Sequence, residues 1–83
     1  MPVNYRDLRS LKARELTAAL IRDGFSFKRQ VGSHQRYHHP DGRRVTIAAH
    51  RGGDTFTLKT LKSIIEMQAR WTDEDLRRLK LIS

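Results

Sequence analysis

The tripeptide Pro40-Asp41-Gly42 constrains the fold of this 83-residue chain more than any other stretch. It separates two short segments of strand-like composition, "HQRYHH" and "RRVTIAAH". Proline has the φ wanted at the second position of a type I turn, aspartate suits the third, and glycine can adopt the left-handed conformation that completes a three-residue, bulged loop. The sequence therefore predicts an antiparallel β-hairpin.

The length of this loop sets the register of the hairpin. A three-residue loop gives four opposite pairs: His39 and Arg43, Tyr37 and Val45, Arg36 and Thr46, His34 and Ala48. A two-residue Asp-Gly turn is the competing option. It would place the outward His34 opposite Ala49 and break the facing pattern of the last strand, so the three-residue loop is favoured.

The rest of the chain predicts helices on either side of this hairpin. Apolar residues recur at helical spacing over residues 11–24, where Gly24 ends the helix, and again over residues 57–70. Phe25–Val31 alternates as a strand, and Thr72 begins a short last helix, with Trp71, Leu76 and Leu79 packing back. We predict one α+β domain over residues 1–83, in which helices cover one face of a three-stranded antiparallel sheet.

The charge of the chain favours nucleic acid as a partner. Seventeen Lys and Arg against nine Asp and Glu give a formal charge of +8, and residues 25–52 carry six bases and one acid. The chain has no cysteine, hence no disulfide framework and no thiolate zinc site. No apolar leader and no membrane-length apolar run is present, so we expect a cytoplasmic protein without a membrane partner.

Strict alternation along the strands predicts one apolar and one cationic sheet face. The inward residues are Phe25, Phe27, Tyr37, Val45 and Ile47, with Gln35 among them. The outward residues are Ser26, Lys28, Gln30, His34, Arg36, His38, Arg44, Thr46 and His50. Such a face is either a solvated surface or a binding surface for phosphate groups.

Spacing separates the imidazoles on the outward face. His34 and His38 lie four residues apart on one strand, about 13 Å, which is too far for both to act on one phosphate. His50 is diagonal to His34 at roughly 7 to 8 Å, a feasible pair around a scissile phosphodiester. Imidazole exchanges protons near neutral pH and RNA supplies its own 2′-hydroxyl nucleophile, so this arrangement suits metal-independent cleavage. We predict no metal site and no cofactor.

Three segments together resemble a known family. They are "RELTAALIRDGF" (14–25), "RQVGSHQRYHHPDGRRVTIAAH" (29–50) and "TLKTLKSII" (57–65). The most specific set is Gly32-Ser33-His34, then Tyr37, His39-Pro40 and a strand that ends near His50. In this order they resemble the HicA-type (YcfA-like) mRNA interferase toxins of toxin–antitoxin pairs.

The resemblance implies a fold like that of a double-stranded RNA-binding domain, α-β-β-β-α. It also implies that His34 matches the catalytic histidine, that the activity is ribosome-independent mRNA cleavage, and that a HicB-type antitoxin masks the site. The chain departs from the family pattern after the second long helix. There it runs "RWTDEDLRRLKLIS", where many members have a glycine-containing turn.

Three functional hypotheses follow. The leading one is an endoribonuclease toxin of a type II pair, with His34 as general acid or base and His50 as a second candidate. Its phosphate contacts are Lys28, Arg36 and Arg44, together with backbone N–H groups near Gly32 and Ser33. The alternative is a non-catalytic RNA-binding module that uses Lys59 and Lys62 near a helix N-terminus. The third is a protein-interaction domain for an acidic partner.

Overall fold

A computed structural model describes residues 5–82. A 3₁₀ turn at Tyr5–Leu8 precedes α1 (Ala13–Arg22), β1 (Ser26–Val31), β2 (His34–His38), β3 (Arg44–Ala48), α2 (Leu58–Lys62) with a π-helical continuation (Ser63–Gln68), and α3 (Asp73–Arg78). The strands form one antiparallel sheet in the order β1-β2-β3. This confirms the predicted α+β architecture of one helix, three strands and further helices. Among the described residues, no helix combines the length and apolarity needed to cross a membrane.

The hairpin between β2 and β3 has the predicted three-residue loop. The His39 N–H donates to the Arg43 carbonyl at 2.9 Å, and Gly42 has a φ of 97°, which favours glycine. The pairs that follow are Tyr37 with Val45, Arg36 with Thr46, and His34 with Ala48. The loop chemistry therefore predicted the register correctly.

The pairing of β1 with β2 departs from strict alternation. Phe27 is opposite Tyr37, whereas the next pair is Arg29 with Arg36, so Lys28 is the extra residue of a β-bulge. A bulge exchanges the faces of all residues that follow it on the strand.

Because of this exchange, the outward prediction for Gln30 is wrong. Gln30 pairs with the inward Gln35, while Arg29 joins Arg36 and Val31 joins His34 on the outward face. Lys28 remains close enough to His38 to influence its charge state, as described below.

The helices cover the inward face of β2 and β3, and leave β1 largely uncovered. Tyr37, Val45 and Ile47 are buried in one apolar cluster with residues of α1, α2 and α3. Phe27 was expected in this core, but its side chain is 51% exposed. Its ring meets Tyr37 edge-on at 5.7 Å, yet it lies on the edge strand, beyond the helices. Gln35 is inward, as predicted, and accepts a hydrogen bond from the Tyr37 hydroxyl.

The second long helix was predicted over residues 57–70, and it changes geometry in the middle. Thr57 caps α2 by accepting the Thr60 N–H at 3.2 Å. From Ser63 onward the turns widen to π-helical geometry, which lets the Gln68 amide donate to the Ser63 hydroxyl. The Oε1 atom of the same Gln68 side chain accepts the Thr46 N–H at 2.8 Å. The wide turns thus help to cover the free edge of β3.

Asp23 connects four parts of the fold at the end of α1. Its carboxylate accepts hydrogen bonds from Arg43 in the hairpin, Trp71 after the π-helical segment and Arg78 in α3, at 3.1, 2.8 and 2.7 Å. Trp71, Leu76 and Leu79 are buried, as predicted. The segment that departs from the family pattern is therefore bound to the domain by one buried carboxylate and by apolar packing.

Arg70 ends the second long helix in the left-handed region, with a φ of 56°. A side chain at such a φ is strained, whereas glycine is not. We expect Arg70→Gly to raise the free energy of unfolding by about 0.5 to 1 kcal/mol in urea denaturation. Lys59→Gly, which places glycine inside α2, should lower it by about 1 kcal/mol. A destabilised Arg70→Gly would show that the arginine side chain holds this helix end.

Candidate functional site

The outward face of the sheet, which we call the outer face, consists of three rows that run across the strands. From one end to the other, the rows are Val31, His34 and Ala48; Arg29, Arg36 and Thr46; Ser26, His38 and Arg44. Directly opposite residues on antiparallel strands have Cβ atoms about 5 Å apart, so neighbours in a row can touch one ligand. Cationic side chains occupy two of the three rows.

His34 lies in the row without cations and is exposed. Its row neighbours, Val31 and Ala48, have small or apolar side chains that cannot hydrogen-bond to the imidazole. Within residues 5–82, no side chain makes a hydrogen bond with this ring. Both ring nitrogens are therefore available to a substrate, as proton transfer requires.

The cations predicted to hold phosphate cluster around His38 at the other end of the face. Loss of hydration and the positive charges of three neighbours lower the pKa of His38 from its usual value of 6.5. Those neighbours are Arg44, Lys28 and Arg36. Arg44 is directly opposite His38 in the hairpin. The structure thus brings Lys28, Arg36 and Arg44 together, as the sequence predicted.

The charge of the outer face therefore changes along β2. The His34 end is open and nearly uncharged, and the His38 end is strongly cationic. The two histidines are four residues apart on one strand, about 13 Å. That length accommodates more than one phosphate of a single strand, so bound RNA could be held at one end and meet His34 at the other.

The turn between β1 and β2 places His34 at the end of the sheet. Gly32 has a φ of 61°, and its carbonyl accepts a hydrogen bond from the Gln30 amide at 2.9 Å. The Ser33 carbonyl accepts the Ala49 N–H at 3.1 Å. A Cβ at position 32 would meet no atom within 4 Å, so only the backbone conformation requires glycine there.

His39 and Arg43, the other basic pair of the hairpin, serve the fold. His39 Nε2 donates to the Asp23 carbonyl at 2.8 Å, while its ring meets Phe25 edge-on. The Arg43 guanidinium lies 4.9 Å from the centre of the same Phe25 ring and donates to the Ala69 carbonyl at 2.6 Å. The basic composition of the hairpin therefore has two origins: an exposed cationic face, and a cluster that fixes the hairpin to the helices.

His50 lies in the turn after β3 and is exposed. Its N–H donates to the Asp54 carboxylate at 2.9 Å. The residue lines a shallow cavity of about 170 Å³ with Gln35 on the inward side of the sheet and Arg14 of α1. His34 is not part of that cavity. The two histidines therefore do not share this cavity.

Lys59 and Lys62 are exposed on α2, which packs its Leu61 against the core. Lys62 lies 5.8 Å above the Tyr5 ring. Because α2 belongs to the helical layer, these lysines are separated from the outer face by the thickness of the domain. One surface cannot include both sets of cations.

Arg29 and His38 are the residues that sequence reasoning did not assign to the site. Arg29 reaches the outer face only because of the bulge at Lys28, and nothing in the alternation of β1 predicts that bulge. His38 was predicted to point outward, but its distance from His34 excluded it as a partner of that residue. Its position among the cations became visible only once the three strands were paired. In the described part of the chain, no group of three or more His, Asp or Glu could hold a metal ion.

Comparison with protein families identifies a related family. A family model described as the HicA toxin of bacterial toxin–antitoxin systems matches residues 13–71. The match includes α1, the whole sheet and the second long helix, and covers about seven tenths of the chain. A search of curated proteins finds no match.

Proposed function

This chain belongs to the HicA toxin family of bacterial toxin–antitoxin systems, and we propose that it is an endoribonuclease that cleaves mRNA on its outer face. In this proposal the enzyme belongs to a type II pair and acts in the cytoplasm without metal or ribosome. His34 is its general acid or base. The family implies an antitoxin partner, for which we propose a HicB-type protein that masks the site.

One observation carries the proposal: an exposed imidazole stands at the open end of a cationic β-surface. In the proposed step, an imidazole removes the proton of the RNA 2′-hydroxyl, whose oxygen attacks the adjacent phosphorus. The bond from phosphorus to the 5′-oxygen breaks, which leaves a 2′,3′-cyclic phosphate, and the leaving oxygen takes up a proton. The test is RNA cleavage by purified His34→Ala protein that has kept its fold.

The cationic rows would bind the phosphates next to the scissile one. Arg36 lies between the rows of His34 and His38, so it is the contact shared by both ends. We expect Arg36→Gln to weaken RNA binding and to lower the slope of log affinity against log salt by about one. The measurement is fluorescence anisotropy with a non-cleavable RNA at several salt concentrations.

Lys59→Gln is the matched control, since it removes the same charge from the helical side. It should leave the slope nearly unchanged. A larger effect of Lys59→Gln than of Arg36→Gln would favour the alternative function, a non-catalytic module that binds duplex RNA through α2.

The low pKa of His38 makes RNA binding depend on pH. His38 is neutral at pH 7 because its pKa lies below 6.5, and it gains a positive charge when the pH falls through that pKa. RNA affinity should therefore rise as the pH falls below 6.5, and by roughly threefold to tenfold once the pH has passed through the lowered pKa of His38. Most of this rise should disappear in His38→Gln, measured by the same anisotropy assay. An unchanged pH dependence in that variant would remove His38 from the RNA-binding surface.

A further inference from the structure

A second cationic surface lies in the helical layer, between α1 and the chain that follows α3. It is a groove of about 650 Å³, which we call the α1–tail groove. Its basic lining residues are Arg14, Arg22, Arg78 and Lys80, and its apolar ones include Leu11 and Leu81. Glu15 is the one acidic residue in the described lining. The groove lies on the helical side of the domain, and His34 is not among its described lining residues.

The walls of the α1–tail groove are held in place by hydrogen bonds. Lys80 adopts a left-handed φ of 61°, and the Leu81 N–H donates back to the Leu76 carbonyl at 2.8 Å, which closes the end of α3. The Arg22 guanidinium donates to the Leu79 carbonyl across the groove floor. The Arg22 bond joins the tail to α1, the Leu81 bond fixes the turn after α3, and Leu79 is buried in the core, so the concavity is part of the folded domain.

Arg78 is paired with Asp23 and Asp75, but the other three basic residues of the groove form no ion pair within the described chain. Arg14 and Lys80 are exposed, and neither forms an ion pair with a described carboxylate. Arg22 donates to a carbonyl, which leaves its charge uncompensated. The Glu15 carboxylate, which also accepts the Lys12 N–H at 2.9 Å, offsets only one of these three positive charges. A ligand that supplies carboxylates would relieve this repulsion.

We propose that the α1–tail groove binds an acidic polypeptide segment of a partner protein. Carboxylates of the segment would meet Arg14, Arg22 and Lys80, while an apolar side chain would pack on Leu11 and Leu81. The groove combines apolar and cationic residues, and no aromatic residue is among its described lining residues for base stacking, so it suits a polypeptide better than RNA.

A second copy of the chain fits this groove poorly. Each copy carries a charge of +8, and the acidic stretch Asp73-Glu74-Asp75 is largely engaged within its own copy. Asp73 pairs with Arg77 at 2.8 Å, and Asp75 caps α3 at Thr72. A partner of opposite charge is therefore the occupant.

The α1–tail groove extends beyond the part of the chain that matches the family. Arg78, Lys80 and Leu81 come after residue 71, where the family match ends, so three of the eight described lining residues belong to the segment beyond the match. A partner held there leaves the outer face uncovered. Such a partner would tether the toxin without blocking His34.

The experiment is an NMR titration of the ¹⁵N-labelled protein with three probes of about 14 units each, long enough for a helical peptide to span roughly 20 Å. The first is an amphipathic peptide of Glu and Leu, the second has Gln in place of Glu, and the third is a single-stranded RNA. We expect the acidic peptide to shift amides over residues 11–22 and 76–82. The Gln peptide should bind at least fivefold more weakly, and the RNA should shift the outer face instead.

Arg14→Gln combined with Lys80→Gln should weaken the acidic peptide at least fivefold, with an otherwise unchanged spectrum. Lys59→Gln combined with Lys62→Gln removes the same charge from α2 and should change the affinity less than twofold. Peptide shifts confined to the outer face, no peptide shifts at all, or groove shifts caused by RNA would each overturn the proposal. None of these readouts depends on RNA cleavage, so the catalytic proposal stands or falls separately.

Discussion

Replacement of His34 by alanine should lower the rate of RNA cleavage by at least about 100-fold, the usual contribution of a general acid or base. The imidazole is exposed and makes no hydrogen bond with a described side chain, so its removal costs the fold little. Neither Val31 nor Ala48 beside it can exchange a proton. RNA binding should persist, because the cationic rows remain intact.

Cleavage is measured with purified protein and a labelled RNA, after circular dichroism and thermal unfolding have shown a native fold. His38→Ala and His50→Ala are the matched controls. His38→Ala should weaken binding more than it slows the cleavage of bound RNA. We expect a smaller loss from His50→Ala than from His34→Ala, since His50 lies in the cavity with Gln35. Undiminished cleavage by His34→Ala would end the catalytic proposal.

Asp23→Ala should destabilise the fold more than any other single change of a charged residue discussed above. The Asp23 side chain is only 8% exposed and accepts hydrogen bonds from Arg43, Trp71 and Arg78. Its removal leaves the Trp71 N–H and the Arg43 guanidinium without their carboxylate. We expect a loss of about 2 to 4 kcal/mol of unfolding free energy, below the full value for a buried pair because Arg78 is half exposed.

The measurement is urea unfolding, with Asp73→Ala as the control. Asp73 pairs with Arg77, whose side chain is 57% exposed, so its loss should cost less than about 1 kcal/mol. An equal cost for the two variants would show that Asp23 is no more than a surface ion-pair residue.

The same carboxylate predicts how stability depends on pH. Burial by itself raises the pKa of Asp23, but the hydrogen bonds from Trp71 and Arg78 and the charge of Arg43 outweigh it, so the pKa lies below 3.8. A carboxyl with a lowered folded-state pKa stabilises the fold above its unfolded-state pKa. That stabilisation is lost as the pH falls below about 4 and through the folded-state pKa. Asp23→Asn should therefore flatten the acid limb of a plot of stability against pH.

Asp23 also links the stability of the domain to its candidate site. It fixes Arg43, the neighbour of Arg44 in the chain, and Arg44 stands opposite His38 on the outer face. Because alternate residues of a strand point to opposite faces, a fixed Arg43 on the helical side orients Arg44 toward the outer side. The ion pair between Arg43 and Asp23 thus helps to orient the exposed charge of Arg44.

Local chemistry was sufficient to predict the hairpin and its outer face. The loop Pro40-Asp41-Gly42 determined the register, and the register placed His34 and Arg36 on one side of β2. These features depend on residues close in sequence, whose φ preferences and alternation are intrinsic to the chain. The family resemblance, which the match over residues 13–71 confirms, rested on the same ordered motifs.

Other features needed the folded chain. The bulge at Lys28 reversed the faces of the residues that follow it on β1, so that Arg29 points outward and Gln30 inward. The bulge becomes visible only in the pairing of β1 with β2. Phe27 stayed exposed since the helices cover only the neighbouring strands. The π-helical turns place the Gln68 side chain where its Oε1 atom accepts the Thr46 N–H at the edge of the sheet.

The sequence by itself determined which residues could do chemistry: an imidazole at His34, cations on the same strand face and a hairpin to display them. Only the tertiary structure decided how they are distributed. It gathered the cations around His38, placed His50 in a cavity that His34 does not line, and joined Asp23 to Trp71 and Arg78 across nearly fifty residues or more. The physical reason is range: turn preference and alternation act over a few residues, whereas charge clustering and burial depend on which distant elements pack together.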